Sequence, residues 1–497
     1  MSSADLTIGR WLSDRARTTP ERVAIRFLDG ELTYATLERR ARRLAAGLEA
    51  RGLRRGDRLA TLTGTSPDHV ATLFACARLG VALQPISWRL APAEVAFQLA
   101  DGEPSLLLTS AEHEHLARAA GSGVAVARIA DPTLEADGDV EDVARDDDPL
   151  LLVYTSGTTG KPKGAVLTHA NCFWTNLSFD RTTSLRDDDV ILQVLPQFHV
   201  GGWNVQPLLA WWKGATVVLE PEFEPGRALR LIAERGVTTM MGVPATYLFL
   251  AQQPGFAEAD LSSLRLAVVG GAPMPETLLE SWLERGVEIV QGYGLTEAAP
   301  NVLCLPPEDA RRKLGFAGKP YPHVDVALRD PDTGAIVDGP GVGELVVRGP
   351  NVFAGYWRNP QATESAFADG WLLTGDVAER DSEGCYRIAG RIKEMVISGG
   401  ENVYPAEIED VLHEHPAVLE AAVVGMPDDR WGEACAAFVV VREGASATEE
   451  ALRDHCRERL ARFKVPKSFS FVEALPRSSM GKVLKDELRV AATEVTK

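Results

Sequence analysis

The chain of 497 residues has room for roughly three structural units at about 100–200 residues each. Its net charge of −18, from 70 acidic against 52 basic side chains, excludes binding to nucleic acid or to an anionic membrane through bulk charge. At 45% hydrophobic and 25% charged residues the composition is that of a globular protein. No stretch approaches the ~18 apolar residues of a membrane span, so no integral membrane contact is expected.

In chain order, the N-terminus MSSADLTIGRWLSDR lacks an apolar segment of signal-peptide length. The six cysteines (Cys76, Cys172, Cys304, Cys385, Cys435 and Cys456) form no C-x-x-C pair and have no zinc spacing, which favours reduced thiols and a cytoplasmic location. Thr33 is placed to cap a helix over Tyr34–Arg51, with Leu37, Ala41, Leu44, Ala45 and Leu48 on one face. Arg58–Thr63 reads as a strand. Pro67–Gly80 reads as a helix that starts on proline, where a missing N–H costs least. Val81–Ile86 and Leu150–Tyr154 read as buried strands, the second preceded by the acidic loop Arg145–Asp148. This alternation predicts an α/β fold with a largely parallel sheet. From Gly341 the pattern turns to strands and turns, a β-rich subdomain. After Arg391 it changes again: a helix over Pro405–His413, strands over Glu420–Met426 and Ala434–Val441, and a helix over Thr448–Leu460. These give a small C-terminal α+β unit.

The sharpest local signal is Tyr154-Thr-Ser-Gly-Thr-Thr-Gly-Lys-Pro-Lys-Gly164. A strand enters a loop of glycines (Gly157, Gly160), hydroxyl residues (Thr155, Ser156, Thr158, Thr159) and lysines (Lys161, Lys163). Glycine lets backbone N–H groups approach and cradle phosphates, while hydroxyls and ammonium groups add donors and charge. A flexible surface loop is the competing reading, and two lysines behind a buried strand weigh against it. The Walker A pattern is absent, since Pro162 follows Lys161. Further motifs follow: Gly270-Gly-Ala-Pro273, Gly292-Tyr-Gly-Leu-Thr-Glu297, Thr374-Gly-Asp376, Gly390-Arg-Ile-Lys393 and Pro476-Arg-Ser-Ser-Met-Gly-Lys482.

In this order the motifs resemble the signatures of the adenylate-forming superfamily, which includes acyl-CoA synthetases, peptide-synthetase adenylation domains and firefly-type luciferases. The resemblance covers nearly the whole chain. It implies a large N-terminal ATP- and acyl-binding domain over 1–392 with a β-rich subdomain. A small mobile C-terminal domain over 393–497 follows, hinged at Lys393. The implied activity is ATP-dependent acid–CoA ligation: acyl-AMP and pyrophosphate form first, then the acyl group passes to coenzyme A and AMP leaves.

The resemblance also assigns residues. Lys482 stabilises the adenylation transition state, where two anions must meet. Glu297 holds Mg2+, a hard cation that prefers oxygen, and Thr296 bonds the α-phosphate. Tyr293 stacks on adenine, with Gly271, Ala272, Pro273, Gly292 and Gly294 lining the nucleotide pocket. Asp376 and Arg391 meet the ribose. Ser398, Gly399, Gly400 and Glu401 border the pantetheine tunnel in the second half-reaction. Out of context, Tyr293 reads as core, Thr296-Glu297 as a helix cap and Asp376 as a turn residue. His199 resembles the residue at the mouth of the acyl pocket. No aspartate lies around Phe198–Asn204 to meet an amino group, which argues against an amino-acid substrate. Gly201 and Gly202 are expected to leave room for a large acyl group, with Trp203, Trp211 and Trp212 either lining it or forming core. A medium-to-large hydrophobic acid (fatty, aryl or bulky polycyclic) is the expected substrate. Two alternatives stand beside this reading: a ligase that loads a carrier-protein thiol, and a non-catalytic nucleotide-binding protein on the same fold. The sequence is compatible with a monomer or a homodimer.

Overall fold

The computed structural model describes residues 6–138, 140–155, 161–398, 401–428, 431–478 and 482–495. Among these, strands assemble into four sheets. Two belong to the N-terminal α/β region. One runs in the order Lys319–Pro320, Asn301–Cys304, Ile289–Gly294, Leu266–Val269, Thr239–Gly242, Val190–Gln193, Thr216–Leu219, Val23–Phe27, Gly30–Thr33. Its six central strands are parallel and its two ends antiparallel. The other runs Gly355–Tyr356, Lys163–Thr168, Pro149–Thr155, Ala82–Pro85, Arg58–Leu62, Leu106–Thr109, Val126–Arg128.

The helices between these strands start and stop where their sequence says. Thr33 Oγ1 accepts from Thr36 N–H at the start of the helix Tyr34–Ala50, whose residues Leu37, Ala41, Leu44, Ala45 and Leu48 are all buried. Ser66 caps Pro67–Leu79, and Gly80 closes it in the left-handed conformation, with φ 64°. Every residue of that helix except Asp68 is buried, because it lies between two layers and not on the outside.

The β-rich subdomain begins at Asp325, earlier than the composition change at Gly341. Asp325–Arg329, Gly341–Arg348, Trp371–Arg380 and Phe367–Ala368 form an antiparallel sheet, and Tyr386–Arg391 also pairs with Trp371–Arg380. The last sheet contains Glu401–Val403, Val396–Ser398, Gly432–Val441 and Val418–Asp428, with Ser468–Phe471 running parallel to Gly432–Val441. Its two long strands extend two residues past the expected bounds at most ends, since their hairpin pairs from Val418↔Val441 to Asp428↔Gly432. The strand Ser468–Phe471 and the helix Lys485–Val495 are additions to the expected elements. Neither has a long enough apolar pattern to stand out from a polar C-terminus.

This sheet buries both faces. Val423 and Val439 face one cluster with Ile408 and Leu452, while Val424 and Phe438 face another with Leu475 and Leu488. Alternation along the strand divides the two. Neither cluster shares a residue with the cores of the N-terminal sheets. Among the described residues no helix is long and apolar enough to cross a membrane.

Candidate active site

The strands that flank the glycine-, hydroxyl- and lysine-rich loop are antiparallel partners. Thr155 on the strand Pro149–Thr155 pairs with Lys163 on Lys163–Thr168. Ser156, Gly157, Thr158, Thr159 and Gly160 lie outside the described residues. The loop's flanks are firmly held: Tyr154 Oη donates to Asp101 Oδ2 at 2.6 Å. Lys161 is exposed, and Lys163 sits 5.0 Å over the Tyr356 ring.

Next to the loop stands Glu297, in the single 3-10 turn Thr296–Ala298 that follows the strand Ile289–Gly294. Its Oε1 accepts from Tyr356 Oη at 2.8 Å and from Thr155 Oγ1 at 3.5 Å. Among the described residues Oε2 has no hydrogen-bond partner and no ion pair reaches Glu297. Thr296 beside it is half-buried. No group of three or more His, Cys, Asp or Glu is placed to hold a metal among the described residues. A cation at Glu297 would thus draw its other oxygen ligands from phosphate and water, which suits Mg2+.

Asp376 is only 4% exposed, and its carboxylate is held at both oxygens. Tyr293 Oη donates to Oδ2 at 2.5 Å, and Arg391 Nε lies 2.9 Å from Oδ1. Strand pairing sets this up, because Asp376 is directly opposite Arg391. Burial first, and then the Asp376 carboxylate, raise the Tyr293 hydroxyl well above the ordinary tyrosine value, so it stays a donor. A carboxylate has about four acceptor positions, so two protein partners leave room for ribose hydroxyls. Gly271, Ala272 and Pro273 are exposed at the rim of the same cleft, after the strand Leu266–Val269. Gly292 and Gly294 sit on the adjoining strand. A Cβ at Gly294 would meet the Pro300 carbonyl at 1.8 Å, so the chain's own backbone already requires glycine there.

Lys482 reaches this cleft from the far end of the sequence. A Cβ built at Gly271 would come within 4.0 Å of Lys482 Cε. The Ser478 N–H donates to the Lys482 carbonyl at 2.8 Å and the Lys482 N–H to Ser478 Oγ at 3.3 Å, closing the loop that carries it. The side chain is exposed to the open cleft yet walled by protein. Desolvation, followed by Arg391, holds its ammonium below the ordinary lysine value, while Asp376, Glu394 and Glu297 work the other way. No ion pair satisfies the ammonium among the described residues.

His199 feels Lys482 as well. Burial, then Lys482 and Arg89, push its imidazole down to about 3, so it is neutral, and its buried Nε2 has no partner among the described residues. An orphaned buried nitrogen, an unpaired ammonium and a carboxylate with a free oxygen are groups that a bound nucleotide and acid would satisfy.

The expected acyl-pocket walls differ. A Cβ at Gly202 would meet the Pro196 carbonyl at 2.3 Å, so this glycine serves the close approach of its own loop. Trp203 and Trp211 are fully buried core, bonded through Nε1 to the Gln197 and Ala24 carbonyls. Trp212 stacks on Trp11 at 4.4 Å. Lys393 is exposed in the 3-10 turn Ile392–Glu394, Ser398 is buried opposite Glu401, and Gly399 and Gly400 lie outside the described residues. No hydrogen bond or ion pair among the described residues joins Lys393, Ser398 or Glu401 to the cleft. Sequence reasoning missed Tyr356, Glu394 and Arg89, since no local pattern marks them and only folding brings them to Glu297, Lys482 and His199.

The profile of the AMP-binding enzyme matches residues 12–357, and that of the AMP-binding enzyme C-terminal domain matches residues 407–482. The chain is 43% identical over 483 residues to a feruloyl-CoA synthase of an Amycolatopsis species, covering 97% of this chain and 98% of the relative. It is 41% identical over 501 residues to an indoleacetate–CoA ligase of Aromatoleum aromaticum, with the same coverage of 97% and 98%. Among solved structures, ATP-bound MatB from Rhodopseudomonas palustris superimposes with a TM-score of 0.93 at 33% identity, covering 99% of this chain and 100% of that one.

Proposed function

This chain belongs to the AMP-binding enzyme family and is an acid–CoA ligase that uses ATP, Mg2+ and coenzyme A, and on that premise we propose that its cleft activates an acid with an apolar, aryl-bearing body. The observation that carries the assignment of roles is the convergence of Lys482, Asp376, Glu297 and His199, spread over nearly 300 residues of sequence, on one cleft.

In the first step a carboxylate oxygen of the acid attacks the α-phosphorus of ATP, the bond to the bridging oxygen breaks, and pyrophosphate leaves. Lys482 places its unpaired ammonium where the two anions meet, and it is strongest there because it is partly desolvated. Asp376, oriented by Arg391 and Tyr293, takes the ribose hydroxyls. Thr296 and the 155–161 loop take phosphate oxygens. Bound at Glu297, Mg2+ supplies charge neutralisation for the phosphates. In the second step the CoA sulfur attacks the acyl carbonyl as the thiol proton is lost to solvent, the acyl C–O bond to phosphate breaks, and AMP leaves with the electron pair. The C-terminal unit, 393–497, is proposed to turn about Lys393 between the steps, so that the 398–401 segment serves the thiol. Its separate core supports such a motion.

The acyl side of the cleft is apolar. Phe198 packs against His199 at 4.6 Å between centroids, and Val243 Cγ1 lies 3.5 Å from a Cβ built at Gly271. A neutral His199 adds no charge. The relatives' feruloyl and indoleacetate activities favour an aryl acid over a fatty one. A cytoplasmic setting goes with this reading, since CoA and ATP are supplied there and the six cysteines are unpaired. AMP release from ATP with a panel of hydroxycinnamic, arylacetic and fatty acids, each with and without CoA, is the test. Multiple turnovers that need CoA and are fastest with an aryl acid are expected; a preference for a fatty acid would reverse the substrate proposal.

A further inference from the structure

Glu297 does not stand alone. The segment 353–357 is laid beside it by backbone bonds: Phe353 N–H donates to the Glu297 carbonyl at 2.9 Å, Ala354 N–H to Val166 at 3.0 Å and Trp357 N–H to Gly164 at 2.7 Å. Tyr356 thereby pairs with Ala165 on the strand that leaves the phosphate loop, and its N–H is held by Thr363 Oγ1 at 2.9 Å. Its ring is fixed edge-on against Phe353, centroids 4.9 Å apart, and its hydroxyl ends 2.8 Å from Glu297 Oε1. On the ring face sits Lys163 Nζ, at 5.0 Å. A cation over a phenol draws electron density from it and strengthens its O–H as a donor.

The two carboxylate oxygens are therefore unlike. Oε1 is occupied by Tyr356 and, more loosely, Thr155; among the described residues Oε2 has no partner. We propose that Tyr356 is the positioning residue for Glu297, committing Oε1 to the protein so that Oε2 alone is presented to a divalent cation on ATP, and that Lys163 tunes this bond through the ring. The inference rests on reading Glu297 as the cation's carboxylate. A ligating carboxylate held by an outer hydrogen bond loses rotational freedom and offers one oxygen in one direction, which fits a cation that keeps most of its waters. Tyr356 also couples the cation to the phosphate loop, because the same strand carries Lys163 and pairs with Thr155.

The test uses the full chain with Tyr356→Phe, which keeps the ring against Phe353 and the pairing with Ala165, so a thermal midpoint close to that of the parent is expected. Calorimetry measures ATP binding in excess Mg2+ and in chelator, and pyrophosphate exchange gives the Mg2+ concentration for half-maximal rate. The expected result is ATP binding unchanged in chelator, a Mg2+-dependent gain in affinity reduced about 10-fold, and a half-maximal Mg2+ concentration raised by a similar factor. Glu297→Gln should abolish the gain, and Tyr356→Phe added to it should change nothing further. If Glu297→Gln loses the Mg2+-dependent gain while Tyr356→Phe keeps it whole, the positioning role is overturned and the reading of Glu297 stands. If Glu297→Gln itself keeps the gain, both fall together.

Discussion

Lys482 shows how far one side chain depends on its surroundings. In a polar C-terminal loop an ammonium is ordinarily solvated and paired with nothing in particular. Here burial and the Arg391 charge lower its pKa, and Asp376, Glu394 and Glu297 counter that shift, so it stands as a partly desolvated cation in the cleft proposed to hold the nucleotide. Removing a charge of this kind from a developing transition state costs about 10²–10³ in rate. Lys482→Ala is therefore expected to slow acyl-AMP formation by that factor while thioester formation from supplied acyl-AMP stays within a few-fold of the parent. Single-turnover measurement of each half-reaction decides it, and an equal loss in both would remove Lys482 from the adenylation step. Asp376 makes the complementary point: its two oxygens are oriented by Tyr293 and Arg391 before any ligand arrives, which spares the ligand that ordering.

Among elements, the helix Pro67–Leu79 repays a quantitative look. It is buried on nearly all sides, and its first turn has one side-chain acceptor, Ser66 Oγ, taking the His69 N–H at 3.2 Å. Buried as it is, that end has little alternative. Ser66→Ala is expected to destabilise the N-terminal region by about 1 kcal/mol, read from its urea transition. No measurable shift would mean that the Ser66 N–H contact with Gln197 Oε1, at 3.3 Å, already fixes the turn. The two regions of the chain also meet through elements. Arg387, on the strand Tyr386–Arg391, bonds Asp410 on the helix Pro405–His413 at 2.9 Å and approaches Glu276 at 3.6 Å. Lys485, at the head of the last helix, bonds Glu409 at 2.7 Å and lies 3.6 Å from Glu394, one residue past Lys393. These pairs tie the loop carrying Lys482 to the segment on which the C-terminal unit is proposed to turn.

For the whole molecule, pH stability follows from three enclosed histidines. Burial is the first cause for each, pushing His69 and His199 down to about 3 and His169 to about 4, from an ordinary 6.5. The folded pKa lies below the unfolded one, so their contribution is fully present above pH 6.5. It is lost as pH falls towards the folded values, because only the unfolded chain takes up protons in between. Buried carboxylates act in the opposite sense: burial raises Asp68, Asp142 and Glu344 and carries Asp410 up to about 6, while it lowers His413 in the same sense as the three histidines. Each titrating group changes stability by at most about 1.4 kcal/mol per pH unit. The thermal midpoint is expected to drop between pH 7 and 5 in high salt, which mutes the repulsion of the acidic surface. Paired carboxylates cannot mimic this, since those with lowered pKa values titrate below that window. A midpoint flat from pH 7 to 5 would show that these imidazoles are hydrated in the native state.

Local order was legible in the sequence because it rests on short-range chemistry. Thr33 and Pro67 mark helix starts, apolar runs mark buried strands, and the glycine-, hydroxyl- and lysine-rich loop declares itself by composition. The order of motifs identified the family, the activity and the candidate residues from Thr155 to Lys482. What lay beyond reach depends on pairing across distance. That Thr155 pairs with Lys163, that Tyr356 meets Glu297 59 residues away, and that Arg391 faces Asp376 are consequences of strand register. The tryptophans made the limit plain: an indole reads the same in a sequence whether it walls a pocket or fills a core, and packing put Trp203 and Trp211 in the core. By itself the sequence determined many of the elements, since propensity and capping are local, and the resemblance of its motifs, taken in order, gave the family and the reaction. Only the tertiary structure decided which glycines make room for backbone, which carboxylate oxygen stays free and which cations feel one another, because these depend on distances that no spacing along the chain encodes.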